Sequence, residues 1–321
     1  MACQIGDAVF EFRPMTPFAL RARLSAPIRA RLDVAASDFL NGAGNRIDFS
    51  APKGEAALAA PDSISWRVFK NPVALYVGGV AAVILEFAEP KIRTGVWEHT
   101  TFRTDPVARL KRTGLAAMVT VYAARSVSEK MIARVVRMHE GIEGETPSGE
   151  AYRANDPDLL AWVQATAAFG FLESYSTYVA PLSEIDRHRY FAEGRPAAAL
   201  YGAHLAPRSQ AEWRALYAKM KPRFERSEII FEFLSIMRAA PALPGPIRLA
   251  QGLLIRAAID ILPTDTREIL GLQKGWGLNA AERLFVRRLG RRADRWMLPS
   301  GPAAQASIRM GRPADWLYRQ R

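Results

Sequence analysis

The stretch Ser126–Gly144, SVSEKMIARVVRMHEGIEG, decides the fold class. Ile132, Val135, Val136 and His139 recur at i, i+3, i+4 and i+7, the spacing of one face of an α-helix. Ser126-x-x-Glu129 has the form of a capping box and predicts the helix start there, while Gly141 and Gly144 supply the stop. Two more starts flank it, Asp105-Pro106 and Asp156-Pro157. In each, Asp suits the N-cap, and Pro takes the first helical position, where its missing N–H is no loss. Downstream, Glu184–Glu193, Gln210–Met220, Ser227–Ala239 and Pro246–Ile261 read as helices separated by Pro-rich joints. Period-2 alternation of β-branched residues is nearly missing. The expected fold is all-α: one large helical domain over residues 61–300, preceded by an arm with short helices (1–60) and followed by a basic tail (301–321).

Composition agrees with a packed globular chain. The 321 residues are 49% hydrophobic, enough to offset conformational entropy through a sizeable core. Cys3 is the single cysteine, which excludes a disulfide framework, a zinc ribbon and a CxxC redox centre. The first residues, MACQIGDAVFEFRPM, lack a basic n-region and a continuous apolar run, so no secretory signal is expected. The most apolar stretch, Pro72–Leu85, is stopped by Glu86 after 14 residues. A membrane-spanning helix needs about 17–25, so a buried core helix and a cytoplasmic location are expected, with no transmembrane segment. Phe18–Leu40 has helical spacing interrupted by Pro27, and Asn41–Ala51 reads as loop.

Charge is uneven. There are 44 Lys+Arg against 32 Asp+Glu, a formal charge of +12, and Arg283–Arg321 holds ten arginines against Asp294 and Asp315. Such an end could touch phosphates, an acidic partner or an anionic membrane face, or it could be a solvated helix with a loose end. No zinc-finger spacing, RNP-type strand or GXXG clamp accompanies it, so no specific nucleic-acid partner is expected.

Several familiar chemistries have no residues to carry them. There is no GxGxxG, GxxxxGK[ST] or GxSxG motif. The four histidines are His99, His139, His188 and His204; none are paired at i, i+4 and HExxH is missing, which speaks against a two-histidine metal site. His188, in Arg187-His-Arg-Tyr190, reads as surface. His139 should face the interior from its apolar stripe. It is either a core histidine bonded to a carbonyl or the proximal ligand of a haem iron, and periodicity does not separate the two. In Asp105–Thr113, DPVARLKRT, the residues Arg109, Arg112 and Thr113 share one helical face, which turns small and apolar from Gly114 to Val121. Cations on a face that becomes buried want anions. Glu86, Glu89 or Glu98 could serve, as could a propionate, a phosphate or a developing oxyanion.

An ordered series of segments carries a family resemblance. It runs Trp66…Pro72-Val-Ala-Leu, Glu98-His99-Thr100…Phe102, Asp105-Pro106…Arg109-Leu-Lys-Arg-Thr113 and Val136-Arg-Met-His139. It continues through Gly144…Gly149…Tyr152-x-Ala154…Asp156-Pro157-x-Leu-Leu-Ala-Trp162-Val163 to Tyr190-Phe-Ala-Glu193 and Leu262-Pro263…Arg267…Leu270-Gly271. The series resembles the MpaB / latex clearing protein (rubber oxygenase) catalytic domain over roughly residues 60–275.

The resemblance implies a helical domain with a haem b pocket between helices and an oxygenase that cleaves or oxidises an apolar, isoprenoid-type substrate with dioxygen. His139 matches the family's proximal iron ligand; Arg109 and Thr113 match its distal RxxxT segment; His99 matches a frequent family histidine that could instead bond a helix end. Two departures stand out. Arg112 sits where latex clearing proteins carry a lysine, and a guanidinium has no lone pair for iron, so an open or water-occupied sixth position is expected. Gln164 replaces the histidine of Trp-Val-His beside the cofactor. That favours a rival reading, a haem or lipophilic-ligand carrier of the same fold without turnover. On the leading reading Arg109, Arg112 and Thr113 form the catalytic set, and His139, Arg109, His99 and Gln164 hold the haem. The Pro72–Leu85 run, with Gly78-Gly79 permitting close approach, either walls an apolar pocket or simply packs in the core.

Overall fold

The structure, a computed structural model, describes residues 33–34, 47–243, 245–273 and 275–319. Most of the helix expected at Phe18–Leu40, and Cys3, lie outside the described residues. In chain order the helices are α1 (Ile64–Phe69), α2 (Pro72–Ala88), α3 (Pro90–His99), α4 (Pro106–Tyr122), α5 (Arg125–Glu140) and α6 (Pro157–Tyr178). They continue with α7 (Glu184–Glu193), α8 (Arg195–Leu200), α9 (Gln210–Met220), α10 (Glu228–Ala239), α11 (Gln251–Asp260) and α12 (Thr264–Ile269). The series closes with α13 (Ala280–Ala293), α14 (Pro302–Arg309) and α15 (Trp316–Arg319). A two-stranded antiparallel ribbon, β1 (Glu143–Glu145) with β2 (Ala151–Arg153), joins α5 to α6. The fold is all-α, as the sequence implied.

Start signals that are local in sequence work as read. Asp105 accepts a hydrogen bond from the amide of Ala108, and Asp156 accepts from those of Asp158 and Leu159. Asn71-Pro72 and Glu89-Pro90 repeat the device at α2 and α3, and the break at Glu89 turns the chain by 112°. The Pro246–Ile261 segment divides into a 3-10 turn over Gly245–Ala250 followed by α11. The capping box at Ser126 does not form. Helix α5 begins two residues earlier, with Ala124 at the N-cap, and the Ser126 amide and hydroxyl bond instead to the Glu55 carboxylate (2.6 and 2.9 Å). Glu129 faces Arg125.

The core is built on the crossing of α2 and α6, whose backbones touch. A Cβ on Gly78 would stand 2.8 Å from the Gly170 carbonyl oxygen, and one on Gly170 would overlap the Gly78 carbonyl. The close approach that Gly78 permits is therefore between helices. Beside it, on α1 and α4, the buried Trp66 indole donates to the carbonyls of Ala59 and Val121 (both 3.1 Å), and Tyr122 donates to the Trp66 carbonyl (2.7 Å). Asn71 caps α2 with its side-chain oxygen and donates from its amide nitrogen to the Gly290 carbonyl at 2.9 Å, tying α2 to α13.

Residues 302–319 form two helices that pack back on the domain rather than a loose end. Buried Arg309 donates to the carbonyls of Glu55 and Phe49, both at 2.8 Å, and Leu317 is buried. Among the described residues no single helix is long and apolar enough to cross a membrane.

Candidate functional site

Four side chains from four helices are linked in series: Thr166, midway along α6, bonds Glu86 near the end of α2, whose charge acts on Arg109 in the first turn of α4, which in turn acts on His139 in the last turn of α5. Trp162, fully buried four residues before Thr166, fixes the rotation of α6 against α2 by donating to the Leu85 carbonyl (3.3 Å). That sets Thr166 against Glu86. The stripe of α5 turns inward as its periodicity required, with Ile132 buried and Val135, Val136 and His139 half-buried.

Glu86 is accessible to a water-sized probe, yet burial pushes its carboxyl up to about 7, against the pull of Thr166 and Arg109. The Thr166 hydroxyl is 3.2 Å from Glu86 Oε1 and 2.8 Å from the Val163 carbonyl oxygen. It has one proton to give. Donated to Glu86 it favours the carboxylate, and donated to Val163 it leaves the Thr166 oxygen able to accept from the protonated acid.

Arg109 is half-buried, and burial followed by repulsion from Arg112 draws its basicity down while the charge of Glu86 supports it. His139 is held below its ordinary value by burial first and by the Arg109 guanidinium second. A helix C-terminus would favour the imidazolium; here those two effects outweigh it and the ring stays neutral at pH 7. Among the described residues neither ring nitrogen of His139, nor the Arg109 guanidinium, nor the half-buried Gln164 amide has a hydrogen-bond partner. The carbonyl that would mark His139 as an ordinary core histidine is not there.

The other expected residues separate from this group. Arg112 and Thr113 are exposed: Arg112 donates to the Thr101 hydroxyl (2.6 Å), and Thr113 donates back to the Arg109 carbonyl (3.0 Å). His99 ends α3, exposed, its Nε2 3.2 Å from the Tyr152 hydroxyl, which also reaches Glu98. Of the acids expected to face Arg109, only Glu86 does so; Glu89 caps α3 and pairs with Arg223. Thr166 carried no sequence signal. Glu86 did carry one, as the charge that halts the longest apolar run.

The chain matches the family described as ER-bound oxygenase mpaB/B'/rubber oxygenase, catalytic domain, over residues 66–295. The protein belongs to this family. Neither the curated proteins nor the solved structures gave a match. An oxygenase-type catalytic domain thus spans α1 to just beyond α13, and it contains Glu86, Arg109, His139 and Thr166.

Proposed function

We propose that this member of the rubber oxygenase family is a haem b-dependent oxygenase acting with dioxygen on an apolar, isoprenoid-type substrate. The carrying observation is His139, a half-buried, neutral imidazole with both nitrogens unbonded among the described residues. One imidazole cannot by itself hold a bare ion, and no three of His, Cys, Asp and Glu converge among the described residues. A chelate that brings its own donors needs only that one. The residues fit.

When bound, haem b supplies the iron that binds and activates dioxygen. His139 would hold that iron through a ring nitrogen, and its neutral form keeps the lone pair available at pH 7. Arg109 places a positive charge beside it, suited to a propionate or to negative charge developing on oxygen. Glu86, poised about half-protonated at neutral pH, can hold or release a proton at its carboxyl oxygen, with Thr166 as the hydrogen-bond partner of either form. Arg112, turned to Thr101, cannot take a lysine's place at the iron. The rival reading, a carrier without turnover, draws its support from Gln164, which keeps hydrogen-bonding capacity but lacks imidazole chemistry.

Purified full-length protein supplied with haem should show a Soret band, and His139→Ala should abolish it while leaving the far-ultraviolet circular dichroism unchanged. Wild-type protein that stays colourless after haem loading would overturn the proposal. Dioxygen consumption with an isoprenoid alkene by the coloured protein separates enzyme from carrier.

A further inference from the structure

We propose that the outward face of α13 docks the protein on an anionic lipid bilayer. Leu284, Phe285, Arg288, Arg291, Arg292 and Arg295 are all exposed, and at 100° per residue they fall within an arc of about 100–120° along about 17 Å of helix and its end. The opposite arc carries Val286, Gly290 and Ala293, which are buried against the domain. The acids of this segment turn away from the exposed face: Glu282 caps the helix and pairs with Arg256, and Asp294 pairs with Lys70 and Asn71. No hydrogen bond, ion pair or ring contact engages the side chains of Arg288, Arg291, Arg292 or Arg295 among the described residues. By contrast Arg283 and Arg287, on the flank, bind Asp260 and the Thr177 carbonyl.

Charge complementarity narrows the partner to a polyanionic surface. The apolar end of the stripe narrows it further. Leu284 and Phe285 are about half exposed, and a helix with arginines beside exposed Leu and Phe is the arrangement that lies in a headgroup layer, its apolar side chains entering the acyl boundary. A nucleic-acid backbone offers those two residues nothing. The exposed side chains of the stripe make no hydrogen bond, ion pair or ring contact with Glu86, Arg109, His139 or Thr166, so the inference is independent of the reading of that site.

Co-sedimentation of the full-length protein with vesicles tests it. Binding is expected to phosphatidylcholine vesicles containing phosphatidylserine, far weaker with phosphatidylcholine alone, and weakened by salt. Each arginine should contribute roughly fivefold to the partition coefficient. Arg288→Glu/Arg291→Glu/Arg292→Glu/Arg295→Glu should therefore lose on the order of a hundredfold or more. Leu284→Ser/Phe285→Ser, which leaves the charges in place, should remove the binding that survives high salt. Arg195→Glu/Arg214→Glu, at exposed positions on other helices, should bind as wild type does. Equal binding to uncharged vesicles would overturn the proposal. So would retention by the fourfold variant with native circular dichroism, an unaltered high-salt remainder in the serine variant, or equally tight binding to a short DNA duplex.

Discussion

The α2–α6 crossing and the α4–α5 region share one domain and were built by opposite rules. At the crossing, backbones touch through Gly78 and Gly170, and Trp162 and Ser174 of α6 donate to the Leu85 and Ala74 carbonyls of α2. Beside it, Arg109, His139 and Gln164 stand half-buried with none among the described residues, and Glu86 takes its proton near neutrality. None of the polar atoms of Arg109, His139 or Gln164 is fully buried, so they are open to solvent and available to a ligand. The first region reads as scaffold, and the second holds the candidate site.

The sharpest way to break this contrast is at the crossing. Gly170→Ala places a methyl group on the Gly78 carbonyl and should cost about 3 kcal/mol or more in urea unfolding, since two packed backbones must separate. Gly79→Ala, whose Cβ would sit 4.0 Å from the Phe171 ring, should be neutral or stabilise by up to about 1 kcal/mol through helix propensity. Similar losses for both would show that the crossing is not so tightly fixed.

Glu86 probes the other side. Its folded-state affinity for a proton exceeds the unfolded one, so its contribution to stability is complete below about pH 4.5. It then declines as pH rises through about 7, by up to about 3 kcal/mol. Glu86→Gln should flatten that part of the pH–stability curve, whereas a slope unchanged by the substitution would show that Glu86 is not desolvated in the fold. The smallest expected effect concerns the start of α5. Glu55→Ala should lower the melting temperature measurably and Glu129→Ala hardly at all, because only Glu55 holds the Ser126 amide.

What could be read in advance followed the range of the interaction. Asp105-Pro106 and Asp156-Pro157 declare their helices because cap and first turn lie within four residues. Ser126-x-x-Glu129 misled because Glu55, 71 positions upstream, captures the amide the box would have used. The spacing of Arg109, Arg112 and Thr113 identified a shared face but not its depth. Arg109 is half-buried while Arg112 and Thr113 are exposed, a difference that spacing along one helix does not fix. Thr166 could not be found from spacing at all, since its role exists only across the α2–α6 contact. His139 was legible because an imidazole on an apolar stripe is a local anomaly.

The segment 49–56 behaves as a buckle. Arg309 grips it through the Phe49 and Glu55 carbonyls, and the Gly54 amide returns a bond to the Arg309 carbonyl at 2.8 Å. The same segment fastens the first turn of α5, through Ala56 to the Arg125 amide (2.9 Å) and Glu55 to Ser126. Cleaving the chain ahead of Pro302 would therefore slacken the helix that ends in His139, although no residue after 301 need come near that imidazole.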